Sequence, residues 1–149
     1  MKSLLIVFGI CAGSSLFADG SIEGKWGYSC FDSVDQNKKV FSSKGTLECA
    51  TGVCKSELDY FDGKTCEGRA TDHSSSSFKY EIEGRVDADQ FNIKITDSVS
   101  SNACYGRIRI RDNNKLFFSK IPADGEANDC STPEKRVTAI DENSIVNRI

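Results

Sequence analysis

The chain has 149 residues, with 19 Lys and Arg against 22 Asp and Glu, for a formal net charge of −3. A chain of that length forms one domain with a core of its own. The mild acidity excludes nucleic acid as a main partner, because phosphate binding needs a basic surface, and beyond residue 18 no apolar run approaches the roughly 20 residues of a membrane-spanning helix.

The first elements in chain order are those of an exported protein. Met1-Lys2 supplies a positive charge, Leu4 to Ala12 is apolar, and Gly13, Ser14 and Ser15 lead to Leu16-Phe17-Ala18. This is the layout of a secretory signal peptide. Cleavage is expected after Ala18, with a cut after Ser14 as the alternative. Residues 1–18 are then the signal and 19–149 a single disulfide-stabilised, β-rich domain, periplasmic or secreted. Ile10 before Cys11 is not the small residue a lipobox needs, so Cys11 reads as part of the discarded apolar run.

Cys30, Cys49, Cys54, Cys66, Cys104 and Cys130 follow. An even set in an exported chain implies three disulfides. Cys49 and Cys54, flanking Ala50-Thr51-Gly52-Val53, form the expected local pair; the spacing leaves the other pairings open. None has the CxxC spacing usual in zinc sites, so no metal or other cofactor is expected.

Strands account for nearly all the rest. Ile22 to Phe31, Val40 to Cys49 and Val53 to Phe61 read as strands, with Asp62-Gly63 as a tight turn. Thr71 to Ser77 reads as a polar, flexible loop. From Phe78 to Val86, Phe78, Tyr80, Ile82 and Val86 share one parity, and Lys79, Glu81, Glu83 and Arg85 the other. After the turn Asp87-Ala88-Asp89-Gln90, Phe91, Ile93 and Ile95 alternate with Asn92, Lys94 and Thr96. Such a hairpin has one buried and one wet face. Tyr105 to Arg111 repeats the pattern, Asp112-Asn113-Asn114 turns the chain, and Leu116-Phe117-Phe118 returns towards Pro122. Ala123 to Thr132 reads as a loop held by Cys130. Arg136 to Ile149 reads as strand, turn at Asp141-Glu142-Asn143, strand. Eight or nine short strands predict an all-β fold. A small antiparallel barrel of about eight strands is favoured, because closure removes exposed edges and that number encloses side chains or one small ligand. A β-sandwich is the alternative.

Residues with catalytic chemistry are sparse. His73, the single histidine, falls in the serine-rich stretch and reads as solvated; no GxSxG elbow or phosphate-binding glycine loop accompanies it. No catalytic residue is assigned, and the protein is not expected to be an enzyme. Trp26, the single tryptophan, reads as a core anchor of the first strand. Arg107, Arg109 and Arg111 share one strand face, either solvated beside acids such as Glu81 and Glu83 or docking an acidic partner. Part of the aromatic set, which includes Tyr28, Phe78, Tyr80, Phe91, Tyr105 and Phe118, is expected to line an apolar pocket.

Gly24-Lys25-Trp26 resembles the GxW motif on the first strand of lipocalins and the wider calycin group. Thr96-Asp97 matches two residues of their Thr-Asp-Tyr motif, with Ser98 replacing the tyrosine. The resemblance implies a closed antiparallel barrel holding a small apolar ligand, with Arg148 of the last strand packed on Trp26. The leading expectation is therefore an exported, non-catalytic binding protein, with Trp26, Tyr80, Phe91 and Tyr105 as candidate ligand contacts. The alternative is a protein-binding module, such as an inhibitor of a secreted hydrolase, contacting its partner through the loops His73–Ser77 and Ala123–Thr132.

Overall fold

A computed structural model describes residues 21–119 and 129–149. The expected signal peptide, Cys11 and residues 123–128 of the late loop lie outside the described residues. Eight strands follow one another: β1 (Gly24–Val34), β2 (Val40–Ala50), β3 (Val53–Asp62), β4 (Asp72–Arg85), β5 (Gln90–Asp97), β6 (Ala103–Arg111), β7 (Lys115–Ser119) and β8 (Ile140–Arg148). Each pairs antiparallel with the next, and β8 pairs with β1, so the sheet closes into a barrel rather than a sandwich. Among the described residues the only helical turn is a short 3-10 segment, Pro133–Lys135.

Turn chemistry sets the register. Thr51 and Gly52 both have positive φ (49° and 79°), the geometry of a two-residue hairpin turn. This turn brings Cys49 opposite Cys54, which form the expected disulfide. The other two bridges are Cys30–Cys66 and Cys104–Cys130. Asp112 and Asn113 (φ 52° and 56°) turn β6 into β7, as short polar side chains that tolerate the left-handed region. Gly45 is needed for a different reason. A Cβ there would fall 1.8 Å from the Glu57 carbonyl oxygen on β3, so no side chain fits between the two strands.

The alternation seen in the sequence places the core. Ile22, Trp26, Leu47, Phe91, Ile93, Ile108, Leu116 and Val146 are buried together with the Cys49–Cys54 bridge. In the β4–β5 hairpin, Tyr80 faces Ile95 and Ile82 faces Ile93. Phe91 and Ile93 are buried, Tyr80 and Ile82 half-buried, and Lys79 and Glu81 exposed. Asn92 and Lys94, expected in water, are half-buried because Arg107 and Tyr105 of β6 stand beside them on the outer face. Ile93→Ala is expected to destabilise the barrel by about 2–5 kcal/mol. Glu81→Ala should cost under about 1 kcal/mol. Urea denaturation of the two variants checks the register; equal losses would contradict it.

Two segments differ from expectation. Thr71–Ser77 is not a loop: β4 begins at Asp72, and Ser74 to Ser77 pair with Leu58 to Lys55. Serine has little strand preference of its own. Here the β3 ladder supplies the order, aided by hydrogen bonds between the Tyr60 and Ser74 hydroxyls (3.0 Å) and between His73 and Asp59 (2.9 Å). Residues 136–139, expected as a strand, form none, and Asp141-Glu142-Asn143 does not end one either. The residues lie within β8 as a bulge: Phe117 pairs with Ile145 but Ser119 with Ile140, so two steps along β7 span five along β8. The Asn143 N–H donates to Asp141 Oδ1 (3.0 Å), and the Ser144 hydroxyl donates to the Asp141 carbonyl oxygen (2.9 Å). The turn chemistry is present, absorbed into a bulge.

The ladder between β1 and β8 is short, running from Trp26↔Arg148 to Tyr28↔Val146. Beyond Tyr28, β1 pairs with β2 alone among the described residues.

Candidate functional site: a cavity and its side groove

One end of the barrel is packed shut. Trp26 is fully buried, its indole N–H donating to the Ile22 carbonyl oxygen at 2.8 Å. The Arg148 guanidinium carbon lies 4.5 Å from the centre of the indole ring. A small pocket of about 70 Å³ lies here, bordered by Arg85, Phe91, Ile110 and Arg148.

Towards the other end the interior is hollow. A cavity of about 450 Å³ is walled by Tyr28, Phe78, Ile93, Ile95, Phe118 and the Cys104 half of a disulfide. Its polar residues, Ser119, Asp141 and Ser144, come from the end of β7 and the β8 bulge. Inward parity explains the apolar walls; the missing volume has a local cause. Gly106 lines the cavity and presents no side chain, and a Cβ there would meet Ser119 Oγ at 2.5 Å. Burial pushes the pKa of the Tyr28 hydroxyl above its ordinary value, and a hydrogen bond with Ser56 partly opposes that shift, so the phenol stays neutral at physiological pH.

A second space, a groove of about 350 Å³, lies between the stretch of β1 beyond its β8 ladder and the β8 bulge. It shares Tyr28, Asp141 and Ser144 with the cavity. The cavity and the groove thus border the same residues where the β1–β8 ladder ends. The arrangement suits enclosure of a ligand: a volume within the roughly 300–1,000 Å³ of small-molecule sites, apolar walls and a few polar groups at one side.

The four aromatic ligand candidates lie elsewhere. Trp26 plugs the closed end, and Phe91 is in the core beneath Arg85 (5.3 Å). Tyr80 is half-buried against the core, outside the cavity wall. Tyr105 is on the outer face, flanked by Lys94 (5.9 Å) and Arg136 (5.5 Å). The neighbouring inward aromatics Tyr28, Phe78 and Phe118 line the cavity instead. All belonged to the aromatic set, but sequence alone does not say which inward residues face a partner across the barrel and which face a void. Asp141 and Ser144 carried a different signal, the turn pattern at Asp141–Asn143.

Of the three arginines Arg109 is ion-paired, with partners other than Glu81 and Glu83. β5 separates β4 from β6, so the acids that reach Arg109 come from the β4–β5 turn and the β8 bulge: Asp89, at 3.6 Å, and Glu142. Arg111 lies over the Phe117 ring at 5.4 Å, and Arg107 is half-buried. Glu83 pairs with Arg136. His73 is exposed on β4 beside Asp59 and lines neither space. Among the described residues no group of three or more His, Cys, Asp or Glu side chains is placed to hold a metal ion, and no helix is long and apolar enough to cross a membrane. Comparison with protein-family models, with curated proteins and with solved structures finds no match to this chain.

Proposed function

We propose that this protein is an exported, non-catalytic binding protein that holds a small apolar ligand inside its barrel. The observation that carries the reading is the 450 Å³ cavity walled by Tyr28, Phe78, Ile93, Ile95 and Phe118. A space of that size within a small barrel is unusual, because packing normally leaves few gaps larger than a water molecule. Export is supported by three disulfides in a small domain, which persist in oxidising compartments, and by the signal-like first 18 residues. The position of Arg148 over Trp26 is the arrangement that a calycin-like barrel implies, and it supports the same reading.

The test is titration with a neutral apolar dye such as Nile red. Saturable binding at one site per chain is expected, weakened at least about tenfold by Ile95→Phe, because a larger ring at the wall occupies the space the dye needs. Trp26 emission confirms that the variant is folded. Absence of saturable binding to folded protein would overturn the reading and favour the protein-binding alternative, a module docking on a secreted protein.

A further inference from the structure

Among the described residues, the hydroxyls bordering the cavity are those of Tyr28, Ser119 and Ser144. Two of them are committed within the protein. The Ser144 hydroxyl donates to the Asp141 carbonyl oxygen at 2.9 Å, and the Tyr28 phenol is hydrogen-bonded to Ser56. Ser119 is engaged on its acceptor side: its Oγ accepts from the Arg107 backbone N–H at 3.0 Å. A serine hydroxyl also has a proton to donate, and among the described residues nothing accepts that of Ser119.

The fold aims this hydroxyl. The β6–β7 register ends at Ile108↔Phe118. Where the ladder would next set Ser119 opposite Arg107, the Ser119 hydroxyl oxygen receives the Arg107 N–H. That oxygen lies 2.5 Å from the place a Cβ of Gly106 would take, and the same place is 3.9 Å from Ile93 on the cavity wall. The hydroxyl therefore stands beside the cavity where residue 106 would otherwise put carbon.

We infer that Ser119 is the hydrogen-bond anchor of the cavity, and that the ligand is a neutral apolar molecule bearing an acceptor oxygen, as a ketone, ester or alcohol does, that receives the Ser119 O–H. This rests on the ligand-barrel reading above and deepens it. The apolar body packs on Phe78, Ile93, Ile95 and Phe118, and the oxygen meets the donor that the wall leaves open. One hydroxyl satisfies a neutral acceptor but does not offset the desolvation of an ion, so the oxygen is uncharged.

Displacement of Nile red by 2-decanone, 1-decene and decanoate, on wild type and on Ser119→Ala, tests the anchor. In the variant 2-decanone is expected to lose about three- to tenfold in affinity, the size of one neutral hydrogen bond, while 1-decene, with as many carbons and no oxygen, changes by less than about twofold. Ser119→Cys, close in size and a weak donor, replaces the alanine variant if that one does not fold. A second readout needs no variant: the infrared carbonyl stretch of 2-decanone bound to wild type should lie below its frequency in hexane, as hydrogen-bonded carbonyls do. Equal losses for 2-decanone and 1-decene, a hexane-like carbonyl in wild type, or decanoate binding more tightly than 2-decanone would overturn the anchor assignment and leave the cavity reading standing. Failure of Nile red and all three compounds to bind folded protein would overturn both.

Discussion

Reducing the three disulfides is expected to lower the stability of the barrel by several kcal/mol, to the point of unfolding at physiological temperature. Loop-closure entropy scales with the length of chain enclosed. Cys30–Cys66 and Cys104–Cys130 span sequence separations of 36 and 26, corresponding to about 4 and about 3.5 kcal/mol. Cys49–Cys54, with a separation of 5, corresponds to about 2 kcal/mol. The long bridges also sit where strand pairing is thinnest. Cys30 lies on β1 just past the end of its β8 ladder, and Cys66 fastens it to the chain after β3, where the Lys44 ammonium donates to the Cys66 carbonyl oxygen at 3.2 Å. Cys130 holds the segment leading to β8 against β6, aided by backbone bonds Tyr105 N–H to Cys130 O (2.8 Å) and Val137 N–H to Tyr105 O (3.0 Å). Typical small domains have only about 5–15 kcal/mol in total. Guanidinium denaturation with and without reductant measures the difference. Coincident curves would show that the β ladders alone hold the fold.

Trp26→Ala is expected to cost about 3–5 kcal/mol as a truncation of a fully buried aromatic. Part of the loss comes from the Arg148 contact, about 0.5–2 kcal/mol on its own, and part from the Ile22 carbonyl oxygen, which loses its indole N–H donor. Arg148→Ala should therefore cost clearly less than Trp26→Ala, and Trp26→Phe should fall between wild type and Trp26→Ala. Because Trp26 is the single tryptophan, native emission reports this site alone: it should be blue-shifted and move to the red on unfolding. A red-shifted native spectrum, or a loss below about 1 kcal/mol in Trp26→Ala, would contradict the packed end of the barrel.

The strands were legible because one face of each is buried, and burial writes itself into the sequence as alternation. Phe91, Ile93, Ile108 and Leu116 fall inside as their parity requires. The turn between Cys49 and Cys54 was legible through Gly52, which takes positive φ freely, whereas Thr51 takes it against the preference of a β-branched side chain. Ser74–Ser77 escaped notice because that half of β4 is held by its ladder to β3 rather than by apolar side chains. Asp141–Asn143 looked like a strand end because a bulge uses the same local hydrogen bonds as a turn. The cavity was the least legible feature. Tyr28 and Phe118 have the same inward parity as Trp26 and Leu116, and only three-dimensional closure shows that the first pair faces a void and the second a packed core.

The most direct test of the ligand barrel is methyl-resolved NMR of the oxidised protein titrated with a neutral apolar compound such as decanol. The expected result is saturable shifts of the Ile93 and Ile95 methyl groups, which line the cavity, with Ile22 and Leu47 beside Trp26 at the packed end unmoved. Shifts confined to surface methyls such as Val99 and Ile149, or none at saturating compound, would contradict it.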